Sequence, residues 1–316
     1  MTEPVRDQWA EWLLERRFGG DPGQRKRLLE GLIPWRDRIL QNAAVKRGET
    51  FLDVGAGDGL IAFGALDLVG EDGRVIFSDI SQDLLDHARR LAEEMDVADR
   101  CEFLLALADD LSALGGASVD IVTTRSVLIY VEDKRRAFEE FFRVLKPGGR
   151  ISLFEPINRF NTVAWSAESG LYMGYDVTPV KDLAGRVQAI YERIQPRETD
   201  PMLNFDERDL FAHAEEAGFE EIHLEYEANV MRGNHLFSGE GPGWELLLKS
   251  SGNPKIPTLE EAMNEALKPE EIERFTAHLR PLVERNEGKG MSAVAYLWAV
   301  KSHLAPADCR IRTISS

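Results

Sequence analysis

Gly55, Gly57 and Gly59 alternate along the chain, with Asp53 two places before the first of them and Asp79 about twenty residues further on. The glycines follow the apolar run Thr50-Phe51-Leu52-Asp53-Val54 and precede another that begins at Leu60. Glycine reaches positive φ without penalty and has no side chain, so a nucleoside-sized ligand can lie directly against the peptide at such a turn. A helix beginning beside the last glycine points its unpaired N–H groups at that ligand. Asp79 closes the next apolar run, where a carboxylate is placed to accept hydrogen bonds from both hydroxyls of a ribose. Ile80 follows it and is expected to pack beside a purine base.

A dinucleotide turn, Gly-x-Gly-x-x-Gly, would need glycine at position 60, where this chain has Leu60. The pattern acidic-x-Gly-x-Gly-x-Gly instead resembles the first motif of the class I S-adenosylmethionine (SAM) dependent methyltransferases. A second match is Arg143-Val144-Leu145-Lys146-Pro147-Gly148-Gly149-Arg150 before the apolar run Ile151 to Pro156, which resembles a late segment of the small-molecule members of that family. Its physics is a helix stopped by proline and turned by glycine. The resemblance covers roughly Glu49 to Pro156 and implies SAM as cofactor, held by Asp53, Gly55, Gly57, Asp58, Gly59, Asp79 and Ile80. Family members commonly carry aspartate where this chain has Leu107, so the adenine-side contact is expected to fall to Ala108 or Asp109. Arg125, Ser126 and Tyr130, just after the fourth strand, are candidates to line the cofactor or the acceptor.

Methyl transfer from a sulfonium is an in-line displacement, so alignment is the main contribution a protein can make. A general base is needed only when the acceptor holds its proton tightly. Glu155, at the end of the fifth strand, is the base candidate with a motif behind it, and Tyr130 is the second catalytic candidate. His213 and His223 are expected to be structural, and His235 sits in an unassigned loop. Trp165, Tyr172 and Tyr175 fall in the stretch after the fifth strand, where insertions in this fold usually build the acceptor pocket; they could equally form the insertion's own core. The chain lacks an Asn-Pro-Pro-Tyr segment and a Pro-Cys nucleophile, so nucleic-acid amino and cytosine C5 methylation are disfavoured. Cys101 and Cys309 are too few for familiar arsenite methylation and form no metal-type cluster. No metal site is expected. The function implied is methyl transfer to an O, N or C atom of a small molecule. The rivals are a SAM-binding regulatory or partner subunit without transferase activity, a protein or RNA methyltransferase with a wide basic groove, and a nicotinamide-dependent oxidoreductase, which Leu60 and the Lys-Pro-Gly-Gly segment disfavour.

The elements that must position these residues alternate strand and helix from Glu49 onward, at the rhythm of an α/β, Rossmann-like, doubly wound seven-stranded sheet. The expected organisation is a helical lid over 1–48, a SAM-binding core over 49–156, a substrate-pocket insertion over 157–205, a continuation of the core over 206–230, a helical insertion over 231–290, and a last strand and tail over 291–316. The third strand is expected over Cys101 to Leu107 and the last over Met291 to Lys301, with an acidic, half-exposed strand at Phe219 to Glu227. Trp9, Trp12, Leu13 and Arg16 share one face of the first helix, and a small basic excess over Met1 to Gly48 reads as a solvated face. The 316 residues carry 43% hydrophobic and 29% charged side chains and a net charge of −17, so a soluble chain is expected that repels phosphate backbones. Nucleic acid and membrane are therefore not expected partners, and a cytoplasmic location is the default, with no signal peptide or membrane span in sight.

Overall fold

The computed structural model describes residues 6–162, 167–233 and 243–303. Helix α1 (Gln8–Leu14) starts at Asp7, whose carboxylate accepts from the N–H groups of Trp9 and Ala10. The Gly19 turn follows in a left-handed conformation, and α2 (Pro22–Asn42) begins with proline in its first turn and the Asp21 side chain as cap. Arg150 holds the far end of α2: it donates to the carbonyls of Ala43 and Ala44 and pairs with Glu49 at 2.7 Å.

Strands β1 (Thr50–Val54), β2 (Arg74–Asp79), β3 (Cys101–Leu105), β4 (Val119–Arg125) and β5 (Leu145–Pro156) are linked by α3 (Leu60–Val69), α4 (Gln82–Glu94) and α5 (Lys134–Val144). After β5 come α6 (Asn158–Thr162), a small hairpin of β6 (Leu171–Tyr172) and β7 (Tyr175–Asp176), then α7 (Lys181–Ile194) and α8 (Glu207–Ala217). Strand β8 (Phe219–Arg232), α9 (Trp244–Lys249), α10 (Leu259–Ala266), α11 (Pro269–Glu284) and β9 (Lys289–Lys301) complete the described chain. The main sheet has seven strands in the order β3-β2-β1-β4-β5-β9-β8, with β1 to β5 parallel and β9 antiparallel to both of its neighbours. This is the expected Rossmann-like architecture. The strand order reverses between β1 and β4, and that reversal opens a crevice beyond their carboxyl ends.

Four strand boundaries differ from expectation. Strand β5 begins at Leu145 because that residue already pairs with Val119; a bulge absorbs the Lys-Pro-Gly-Gly segment before Arg150 pairs with Ile121. Strand β3 stops at Leu105, since Ala106 turns to donate to the Asp79 carbonyl and Leu107 bridges Asp110. Strands β8 and β9 run on together to Arg232 and Lys289, a two-stranded ribbon longer than the alternation of apolar and acidic residues suggests.

The stretches 167–190 and 244–283 bury their apolar side chains in one shared cluster beside the sheet. Tyr172 and Tyr175 belong to that cluster, at 4% and 0% exposure, with Tyr172 edge-on to Phe275. Their expected place in the acceptor pocket is therefore corrected: they are core residues of the inserted segments. Trp165 and His235 lie outside the described residues. His213 packs beside Phe138, and His223 stacks on Trp298. Some of the basic residues near the N-terminus form ion pairs, Arg16 with Glu261 and Arg38 with Glu225 and Glu227. Among the described residues no helix is long and apolar enough to cross a membrane.

Candidate active site

Beyond the carboxyl ends of β1 and β4 lies a cavity of about 460 Å³, within the range of small-molecule sites. Its floor is the glycine turn, with Gly55, Gly57, Asp58 and the Asp53 strand end all contributing. Gly57 has φ +57°, and its N–H donates to Asp79 Oδ2 at 2.9 Å. The other oxygen of Asp79 accepts from Ser81 N–H at 2.9 Å, so one buried carboxylate ties the turn to the start of α4. Burial pushes the Asp79 carboxyl above its ordinary range, against the backbone hydrogen bonds that lower it.

Asp53 faces a different task. Its carboxylate accepts from Thr123 Oγ1 at 2.8 Å and from Ala62 N–H at 3.2 Å, which joins β1 to β4 and to the first turn of α3. It is buried, and burial raises it to about 7. Gly59 caps α3 in a left-handed conformation, with Phe63 and Phe77 against it. One end of the cavity is walled by Ile80, Leu107, Ala108 and Asp109; the other by Arg125, Ser126 and Tyr130.

Helix α1 lies across the turn. The tip of Leu13 stands 2.9 Å from where a Cβ on Gly57 would be, and Trp9, Trp12 and Arg17 join the cavity wall. Two sets of bonds hold the helix there. Ser81 Oγ donates to Asp7 at 2.6 Å while Asp7 N–H donates to Asp83 at 2.6 Å, and Trp12 Nε1 donates to the Ser251 carbonyl at 2.9 Å. Trp9 meets Tyr130 edge-on at 4.9 Å. Burial raises the Tyr130 phenol well above its ordinary range, so it remains protonated at neutral pH.

Glu155 departs from its expected place. It is wholly buried and is absent from the cavity wall. Its carboxylate accepts from the N–H groups of Val127, Leu128 and Ile129 at 3.0 to 3.2 Å and from Thr124 Oγ1 at 3.3 Å. The expected general base is therefore a positioning residue: it shapes the loop that carries Arg125, Ser126 and Tyr130. Lys134 reinforces that loop from below, its ammonium donating to the carbonyls of Val131 and Pro201 at 2.9 and 3.0 Å, with burial lowering it to about 8.

Wall residues that sequence reasoning missed include Arg17, Asn158, Met202 and Gly252. Arg17 falls within the basic excess over Met1 to Gly48, and nothing in the local sequence distinguishes it from the other arginines there. Met202 and Gly252 reach the cavity only through tertiary closure, by the Lys134 bridge to Pro201 and the Trp12 bond to Ser251.

The ubiE/COQ5 methyltransferase family matches residues 32–231. A ubiquinone/menaquinone biosynthesis C-methyltransferase of Cronobacter sakazakii is 29% identical over 195 residues, 60% of this chain and 73% of that protein. An arsenite methyltransferase of Halobacterium salinarum is 36% identical over 115 residues, 36% of this chain and 29% of that protein. Among solved structures, the YcgJ protein of Bacillus subtilis has the same fold, with a TM-score of 0.50 at 15% identity, covering 84% of this chain and 97% of its own.

Proposed function

The chain belongs to the ubiE/COQ5 methyltransferase family and is a SAM-dependent methyltransferase, and from that premise we propose that it methylates a small molecule enclosed with the cofactor beneath α1. The observation that carries this reading is the joint lining of one cavity by the glycine turn, Asp79 and the aromatic face of α1. The residues fit the cofactor on physical grounds. A Cβ on Gly57 would project toward the space under Leu13, and an acidic side chain stands one strand away where a ribose would lie. When bound, SAM supplies an electrophilic methyl group; the acceptor's lone pair forms the new bond and the carbon–sulfur pair returns to sulfur.

In this reading Asp79 accepts from the ribose hydroxyls, while Ile80, Ala108 and Asp109 border the adenine. Gly55, Gly57 and Asp58 border the middle of the cofactor, while Gly59, which is absent from the cavity wall, and Asp53 act through the turn rather than on the ligand. Arg125, Ser126 and Tyr130 border the reacting end. Trp9, Trp12 and Leu13 exclude water around the sulfonium, which strengthens every charge interaction there. The cavity wall holds no histidine among the described residues, and Glu155 is turned away, so alignment does most of the chemistry and Asp58, Asp109 and Glu132 are the wall carboxylates open to the proton of an acceptor that holds it tightly. The two relatives named above act on carbon and on arsenite by name. A carbon or oxygen acceptor suits this chain better than a metalloid, because Cys101 lies on β3 off the cavity wall and burial raises its thiol to about 11.

Calorimetric titration tests this reading. The wild type is expected to bind SAM and S-adenosylhomocysteine and to ignore NADH, and Asp79→Ala is expected to weaken both ligands by about 1–3 kcal/mol, roughly fivefold to 150-fold. Unchanged affinity in that variant removes Asp79 from the site, and binding of NADH alone overturns the reading.

Removal of residues 1–20, which spares the Asp21 cap of α2, addresses the covering role of α1. The truncated protein is expected to keep SAM binding while losing at least about tenfold in turnover. Equal turnover would leave α1 a purely structural helix.

A further inference from the structure

Two guanidinium groups share the cavity wall near its reacting end, Arg17 from the segment after α1 and Arg125 from the end of β4. Neither forms an ion pair or a hydrogen bond among the described residues. The Arg17 guanidinium carbon lies 5.4 Å from the centre of the Trp12 ring and 5.7 Å from that of Phe18, so ring faces hold the head group in place while its five N–H donors stay without a hydrogen-bond acceptor. Burial and the charge of Arg125 lower Arg17 to about 10, with Asp58 and Tyr130 acting in the opposite sense. Enclosing a cation beside a second one costs free energy unless an anion arrives to offset it. The nearby carboxylates fill that role only in part, Asp53 attracting Arg125 and Asp58 attracting Arg17 without forming an ion pair with either. Asp53 is engaged by Thr123 and Ala62, Asp79 by Gly57 and Ser81, and Asp58 forms no ion pair with either arginine.

We propose that Arg17 and Arg125 form an anion-binding end of the cavity, and that the methyl acceptor is a small molecule with an apolar, planar body and a carboxylate. This rests on the reading of the cavity as a methyltransferase site and adds the substrate class to it. Guanidinium forks match carboxylates two N–H groups at a time. The methionyl carboxylate of the cofactor has two oxygens and can occupy one fork; two forks at one end provide for a second anion. Trp9, Trp12, Tyr130 and Met202 supply apolar walls for the rest of such an acceptor. The two guanidinium charges and the sulfonium together favour an anionic partner over a neutral one.

The test uses the full chain saturated with S-adenosylhomocysteine and titrated with benzoate and phenylacetate, with benzamide and phenylacetamide as uncharged matches. The acids are expected to bind at least tenfold more tightly than the amides. At least one of Arg17→Gln and Arg125→Gln is expected to erase that preference, the other fork being free to hold the cofactor's carboxylate, and lysine at the same position is expected to keep part of it. Melting temperatures within a few degrees of wild type establish that the variants are folded. The source of the anion is separated by measuring S-adenosylhomocysteine against 5′-methylthioadenosine, which lacks the amino-acid end. If both Gln variants lose the first ligand and keep the second, both arginines serve the cofactor and the acceptor claim is overturned. Equal binding of acids and amides, or binding of neither, also overturns it. In each of these cases intact binding of S-adenosylhomocysteine by the wild type leaves the methyltransferase reading standing, and its absence would sink that reading instead.

Discussion

Gly57→Val is expected to give a folded protein that no longer binds SAM. Gly57 sits at φ +57°, a region that β-branched residues adopt only under strain of about 1–2 kcal/mol or somewhat more. That cost lies well inside the 5–15 kcal/mol by which domains are ordinarily stable. The atom nearest a new Cβ is the tip of Leu13, a flexible side chain on α1 that can give way, so the sheet beneath is not disturbed. The valine methyls then occupy the floor of the cavity, where the ligand backbone must pass. Gly55→Val is the control with a different outcome. Its Cβ would lie 2.4 Å from Val127 Cγ2 and 3.3 Å from Val127 Cβ, on the loop that Glu155 holds rigid. That variant is expected to lose stability and binding together. Calorimetry and thermal unfolding on both proteins separate the cases, and normal SAM affinity in Gly57→Val would defeat the placement of the cofactor over the turn.

The contrast between these glycines marks how far the sequence is legible. The turn, Asp79 and the Lys-Pro-Gly-Gly stop are local demands on the backbone, so residue type and spacing reveal them. The order of the parallel strands follows from the same alternation of strand and helix. Tyr172 and Tyr175 were open to misreading because an aromatic residue in an insertion has the same signature whether it faces a pocket or a core; only the shared cluster with 244–283 distinguishes the two. Glu155 sits at a strand end that does border the crevice, but the direction of its carboxylate depends on three backbone N–H groups of a loop whose conformation no pattern encodes. Arg17 becomes informative only when Arg125, more than a hundred residues away, is seen on the same wall.

Glu155 also yields the second large effect. Glu155→Ala is expected to destabilise the protein by roughly 3–6 kcal/mol near pH 4 and by less as pH rises, since three backbone N–H donors, two of them fully buried, lose their acceptor at about 1–3 kcal/mol each with partial relaxation. Glu155→Gln keeps the shape and removes the charge, and its effect should depend on pH. Burial raises the Glu155 carboxyl from 4.5 to about 7. The folded state therefore binds a proton that the unfolded chain has already released between those values, and the stability that this provides is complete below about 4.5 and is lost as pH rises through about 7. At about 1.4 kcal/mol for each tenfold in proton affinity, the loss is on the order of 3 kcal/mol. Glutamine carries no such penalty, so in urea unfolding the variant should gain on the wild type by roughly that amount between pH 4 and pH 8. Asp53, raised to about 7 for the same reason, adds a slope of the same sign to both proteins and cancels in the comparison. A difference that does not change with pH would mean that Glu155 is not held near neutrality by burial. A Gln variant of unaltered stability that had lost all turnover would instead restore the carboxylate to the chemistry, and the loop it supports would need another explanation.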